Sequence, residues 1–95
     1  MKQVLFSTKA RKDLVSIRVY TELNWSRQQS IKYINLMLDE CFSVPDKEAF
    51  ISFRAYKDYF FFHCGHHFVF FKSTDQKIMI SRILHDKQNF AKHLE

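Results

Sequence analysis

Apolar positions along this chain change period partway. From Lys9 to about Leu23 they follow a helix: Ala10, Leu14, Ile17 and Thr21 form one stripe, flanked by Asp13 and Tyr20, with Lys9, Arg11, Lys12 and Arg18 off it. A second helical stripe runs through Ile31, Ile34, Leu38, Cys41 and Phe42, with Met37 beside it. Ser26-Arg27-Gln28-Gln29 fits a capping box at its start, and Pro45 predicts its end near Val44. Asn24-Trp25 is the corner of the resulting αα-hairpin. Gln3–Ser7 before it reads as a short strand, after which Thr8 is placed to cap the first helix. Beyond Asp46 the period falls to two. Ile51, Phe53 and Ala55 alternate with Ser52 and Arg54 in a connection that ends near Asp58, and Ile78–His85 reads as a last strand after the polar turn Ser73–Gln76. Asp86 is placed to cap a final helix from Lys87 to about His93, which offers Phe90 and Leu94 for docking.

Tyr59 to Lys72 is the densest stretch: seven aromatics surround His63-Cys64-Gly65-His66-His67, and Gly65 is the chain's one glycine. Gly65 suits the positive φ at the first central position of a type II′ turn, so the pattern predicts a hairpin turning on Gly65-His66. That register sets Cys64 opposite His67, His63 opposite Phe68, Phe62 opposite Val69 and Phe61 opposite Phe70. Phe60, Phe62, Cys64, His67, Val69 and Phe71 then share one face, expected to be core. Tyr59, Phe61, His63, Phe68, Phe70 and Lys72 share the other. His63 and His67 fall on opposite faces, which splits the ligands a zinc ion would need, so no metal is expected.

The order is β-α-α-β-β-β-α. Helices followed by strands predict an α+β fold, a helical hairpin packed on one face of a mostly antiparallel sheet. The other face is expected to stay open or to be partly covered by the tail. Ninety-five residues, 46% hydrophobic and with one Gly and one Pro, suit a single domain spanning 1–95 without a flexible linker. There is no repeat and no stretch apolar enough to span a membrane. The first six residues are too short and too soon polar for a signal peptide, and Leu94-Glu95 could belong to a tag. Two cysteines without an export signal point to reduced thiols, with Cys41 as inert core. A net charge of +5 favours an acidic partner or nucleic acid, without choosing between them.

Arg82 falls in phase with Ile78, Ile80 and Leu84 yet carries a charge. Either a bulge turns it outward or a carboxylate such as Asp13 or Asp86 meets it. Phe61, Phe68 and Phe70 beside Lys72 could stack nucleic-acid bases, but any sheet would bury the same residues, so direct nucleic-acid binding is not the expectation. An open apolar face better suits a disordered acidic segment that folds onto it.

The landmarks resemble the ParE/RelE toxin superfamily, and its ParE branch in particular. They are Phe6-Ser7-x-x-Ala10-x-x-Asp13-Leu14-x-x-Ile17-x-x-Tyr20-Thr21-x-x-x-Trp25 continuing into Gln28, Tyr33, Leu36 and Phe42, then Phe62-x-x-Gly65-x-His67-Phe68-Val69-Phe70-Phe71, then Ile78-x-Ile80-x-Arg82-Ile83-Leu84-His85. The resemblance implies a cytoplasmic bacterial toxin of a type II toxin–antitoxin pair, held silent in a hetero-oligomer with a ParD-like antitoxin. It also implies action on DNA gyrase, with no cofactor and no chemistry of its own. Target contacts are then expected from Arg82, His85, Lys87 and Lys92, and antitoxin contacts from Tyr20, Trp25 and Tyr33. The related RelE branch implies an alternative, a ribosome-dependent mRNA interferase, with His85 as acid or base and Arg82, Lys72 and Arg54 (or Lys57) as cations. No glutamate lies in the strands to serve as a second base. One departure stands out: where ParE-like chains place arginines before and within the first hairpin strand, this chain has Tyr56, Phe60 and Phe61.

Overall fold

The computed structural model describes residues 2–94; the expectations that touch Met1 and Glu95 lie outside them. β1 (Gln3–Phe6) leads into α1 (Thr8–Asn24) and α2 (Arg27–Phe42). Next come α3 (Val44–Glu48), β2 (Arg54–Tyr56), β3 (Tyr59–Cys64), β4 (His67–Ser73), β5 (Lys77–His85) and α4 (Phe90–His93). One five-stranded sheet runs in the order β1-β5-β4-β3-β2, antiparallel except where β1 lies parallel to β5. The predicted class therefore holds, with two short elements added, α3 and β2. Among the described residues no helix is long and apolar enough to cross a membrane.

Local chemistry explains the boundaries. Ser7, not Thr8, caps α1: its Oγ accepts the Ala10 N–H at 3.0 Å, and Thr8 is already helical. Ser7 wins because its backbone is extended, with φ −65° and ψ 163°, the geometry a cap residue needs. Ser26 caps α2 as expected, accepting from Gln29 N–H at 3.1 Å. Pro45 does stop α2, which ends at Phe42. The chain then restarts as α3 with the proline in its first turn, where a missing N–H costs nothing. Asp86 does not cap the last helix. α4 begins only at Phe90 and has no side-chain cap, because the Asp86 carboxylate is drawn to His63 Nε2 at 3.0 Å.

The two helices meet through small polar residues. Thr21 and Ser30 are buried where α1 and α2 touch, and their hydroxyls bond to each other at 2.6 Å. One hydroxyl donates to the other, and the one that accepts has its own proton for a backbone carbonyl, that of Ile17 in reach of Thr21 or that of Arg18 in reach of Ser30, so neither is left unsatisfied. Below the helices lies the main core: Ala10, Ile17, Met37, Cys41 and Val44 against Cys64, Val69, Phe71, Ile78, Ile80 and Ile83. Both cysteines are free and buried, and burial pushes the Cys41 thiol up to about 12.

The hairpin register is the predicted one, from Cys64 opposite His67 to Phe61 opposite Phe70. Gly65 has φ +60°, and His66 is not among the positive-φ residues, as a type II′ turn requires. The other face of the sheet is not open. Phe90 and Leu94 fold back over Phe70 and Leu84, with Tyr56, Tyr59, Phe61 and Phe68 around them, to make a second small core. Phe90 lies 4.9 Å from the Tyr56 ring and 5.3 Å from Phe70. The aromatic area on that face is large enough for the tail to gain by covering it. Phe61, Phe68 and Phe70, the residues that could have stacked bases, therefore lie against Phe90.

A second tight turn went unpredicted. Tyr56 pairs with Tyr59 across Lys57-Asp58, and Lys57 takes φ 53° without being glycine. A side chain in the left-handed region costs roughly 1–2 kcal/mol, partly offset by the greater unfolded freedom of glycine. Lys57→Gly is therefore expected to stabilise the protein by about 0.5 kcal/mol in urea denaturation. A destabilised variant would mean that the Lys57 ammonium, 5.5 Å from the Tyr56 ring, outweighs the strain.

Candidate functional site

Arg82 and His85, two of the residues singled out for function, stand on the far half of β5. β1 covers only Lys77 to Ile80 of that strand, and Ser7 then turns the chain away into α1. Its backbone N–H reaches the Ile80 carbonyl at 2.9 Å, and its hydroxyl reaches the Ser81 carbonyl at 2.8 Å. Ser81 is the extra residue of a bulge, since Phe71 pairs with Ile80 and Phe70 with Arg82. The bulge shifts the alternation by one. Ile83 then joins Ile78 and Ile80 in the main core, and Arg82 leaves that row.

Asp13 meets the displaced arginine. Arg82 Nε and Nη2 donate to its two carboxylate oxygens at 2.8 and 3.0 Å, and the Ile83 N–H donates to the same group at 2.9 Å. Arg82 Nη1 also reaches the His93 carbonyl, which ties the tail to the pair. Both side chains are largely buried, at 16% and 15% exposure. Both remedies expected for an in-phase arginine are thus present, the bulge and the carboxylate.

His85 ends the strand half-exposed. Its Nδ1 accepts the Lys87 N–H at 3.2 Å, and its own N–H donates to Gln88 Oε1 at 2.8 Å. Arg82 and His85 line one shallow groove of about 220 Å³ with Asp13, Ser16, His67 and Gln88. Lys87 and Lys92 stand exposed on the tail. Arg54 and Lys72 lie apart from this group, exposed on other strands, over the rings of Phe61 and Tyr59.

On the helical side, Tyr20 is 61% exposed and Trp25 42%. Tyr33 is instead built into the hairpin turn. Its hydroxyl accepts the His66 N–H at 2.9 Å and lies 2.5 Å from His67 Nδ1. The phenol has one proton and two acceptors in reach, His67 Nδ1 and the Cys64 carbonyl at 3.4 Å, so the His67 tautomer decides which of the two receives it. Trp25 packs edge-on against Tyr33 at 5.3 Å and against His66 at 6.2 Å. A Cβ at Gly65 would come within 2.5 Å of Tyr33, so this ring and the positive φ demand glycine independently. Sequence reasoning found the glycine but not its partner, because nothing local links Tyr33 to a turn 31 or more positions on.

His67 is the electrostatic oddity of the cluster. Burial pushes its imidazole down to about 4, helped by the nearby His85 and His66 and opposed by Asp86 and Asp13. Among the described residues no three His, Cys, Asp or Glu side chains converge as a metal site.

These features define a class: a small α+β protein with a helical hairpin on one face of a five-stranded sheet and a basic strand end wrapped by its own tail. A chain of the chromosomal ParDE toxin–antitoxin system from P. aeruginosa shares the fold, with TM-score 0.79 and 15% identity over 90% of this chain and 96% of that one. YafQ from E. coli strain BL21(DE3) aligns over the full length of both chains at 15% identity and TM-score 0.49. No curated protein sequence matches. The model of the ParE toxin of the type II toxin–antitoxin system parDE matches residues 4–90, and the chain belongs to that family.

Two outcomes follow from the site. Asp13→Ala strands Arg82 and the Ile83 N–H together, and is expected to cost about 3 kcal/mol in chemical denaturation. A loss below about 1 kcal/mol would show the pair to be peripheral. The unfolded His67 binds a proton near pH 6.5, whereas the folded one resists until about 4. Stability is therefore expected to fall as the pH drops from 6.5 towards 4, at up to about 1.4 kcal/mol per pH unit. Between pH 6.5 and 5 the slope is expected to vanish in His67→Gln.

Proposed function

We propose that this chain is the toxin of a type II pair that acts in the cytoplasm by binding DNA gyrase, and that a cognate ParD-like antitoxin neutralises it in a hetero-oligomer. The target face is the end of β5 with the tail: Lys87 and Lys92 present its exposed charge, and Arg82 and His85, held by internal bonds, shape the surface beside them. The antitoxin face is the helical hairpin, where Tyr20 and Trp25 are exposed and Tyr33 packs against Trp25. The basic balance of the chain suits a fast encounter with an acidic antitoxin.

The observation that carries a binding rather than a catalytic reading is the commitment of Arg82. A cation that stabilises a phosphorane must face the substrate. Here the guanidinium makes a bidentate pair with Asp13 and a third bond to the His93 carbonyl. His85 Nδ1 is similarly occupied by the Lys87 N–H, and Arg54 and Lys72 lie away from both. An acid–base pair with converging cations would need these groups free and together. Lys87 and Lys92 offer positive charge that no internal partner holds among the described residues.

The test is supercoiling by purified gyrase with the purified chain added. Inhibition is expected, and the double variant Lys87→Ala/Lys92→Ala is expected to need roughly tenfold more protein for the same effect, about 1.4 kcal/mol. Full supercoiling activity at saturating chain would overturn the gyrase reading. Transcript cleavage on induction that His85→Ala abolishes would put the mRNA interferase in its place.

A further inference from the structure

The connection between α3 and β2 leaves apolar surface that nothing in the described chain covers. Phe50 is 88% exposed, Ile51 51% and Phe60 40%. Beside them, between this connection and β3–β4, opens a cleft of about 420 Å³ with Phe53, Phe60 and Phe71 in its lining. Its polar end is closed on itself. Lys2 Nζ donates to Glu48 at 2.9 Å and to Ser73 Oγ at 2.7 Å, and Ser73 Oγ donates to Glu48 at 3.0 Å. What remains for a visitor is Ile51, Phe53, Phe60 and Phe71, with Ser52, Thr74 and Asp75 beside them.

We propose that this patch is a two-fold interface between two copies of the chain, in which Phe50 of each copy enters the cleft of the other. An aromatic knob and an aromatic-lined hole lie side by side on one chain. Such self-complementarity is what a two-fold interface requires. Electrostatics select the partner. The chain carries +5, which opposes self-association over most of its surface. The segment from Val44 to Asp58 is neutral, with Asp46, Glu48 and Asp58 balanced by Lys47, Arg54 and Lys57. An acidic partner gains nothing from a neutral patch, whereas a second basic copy meets no repulsion there. The neighbouring sheet edge, β2, is only Arg54–Tyr56, too short to template a strand, so side chains make the contact. A few apolar residues per copy fall short of the roughly 1,200–2,000 Å² of a stable complex, so the dimer is weak and concentration-dependent.

Sedimentation velocity of the full chain from low to high micromolar concentration tests this. The wild type is expected to shift from monomer towards dimer. Phe50→Ser is expected to associate at least about tenfold more weakly. Ser52→Arg, which keeps Phe50 but obstructs the cleft, is expected to do the same. Both positions are exposed, so circular dichroism and melting should match the wild type. A wild type that stays monomeric throughout would overturn the proposal, as would either variant associating like the wild type. A monomeric wild type whose Phe50 amide gains exchange protection only in complex with an antitoxin would overturn it too, and give the patch to that partner.

Discussion

β5 is nine residues long, but its parallel neighbour β1 reaches only as far as Ile80. Beyond that point the strand has a bare edge beside α1, and a sheet edge without a partner leaves backbone N–H groups to be satisfied. Asp13 resolves this with one carboxylate that takes the Ile83 N–H and two N–H groups of Arg82. It fixes α1 over the sheet and allows an arginine inside a strand otherwise built for core. Gln88 does the same for the next outward N–H, that of His85. The chain closes its own edge with side chains, which also blocks unwanted strand addition there.

The same device orders the tail. Arg82 reaches past Asp13 to the His93 carbonyl, while Phe90 and Leu94 settle on the aromatic face. Helix, strand and tail therefore meet at one ion pair. This is also where the exposed lysines of the tail are presented, so the groups proposed to bind the target rest on a rigid base. The hairpin turn provides a second anchor, with Tyr33 of α2 seated on Gly65 and bonded to His66 and His67.

Much of this was legible in the sequence. Period-3.6 stripes located both long helices, and Gly65 set the hairpin register residue by residue. The charge at Arg82, out of keeping with its row, announced a bulge or a carboxylate, and Asp13 was one of two candidates. What was illegible had non-local or non-consensus causes. Lys57 turns a hairpin in a conformation that normally signals glycine, so no pattern marked it. The cap at Ser7 rather than Thr8 depends on backbone torsions between two equally suitable residues. The closing of the second face was legible in part: Phe90 and Leu94 were placed to dock, but so short a tail does not decide between folding back and leaving the face open. Tyr33 reads as one more helix-face aromatic until the turn it supports is in place.

Asp13 substitutes for a missing strand at the edge of β5. Amide hydrogen exchange at Ile83, followed by NMR, measures this directly. In the wild type the Ile83 N–H should be protected to a degree comparable with the β4-paired amides of β5, and in Asp13→Ala that protection should be lost while the amides between β4 and β5 keep theirs. An Ile83 amide that exchanges freely in the wild type, or that stays protected without Asp13, would contradict the account.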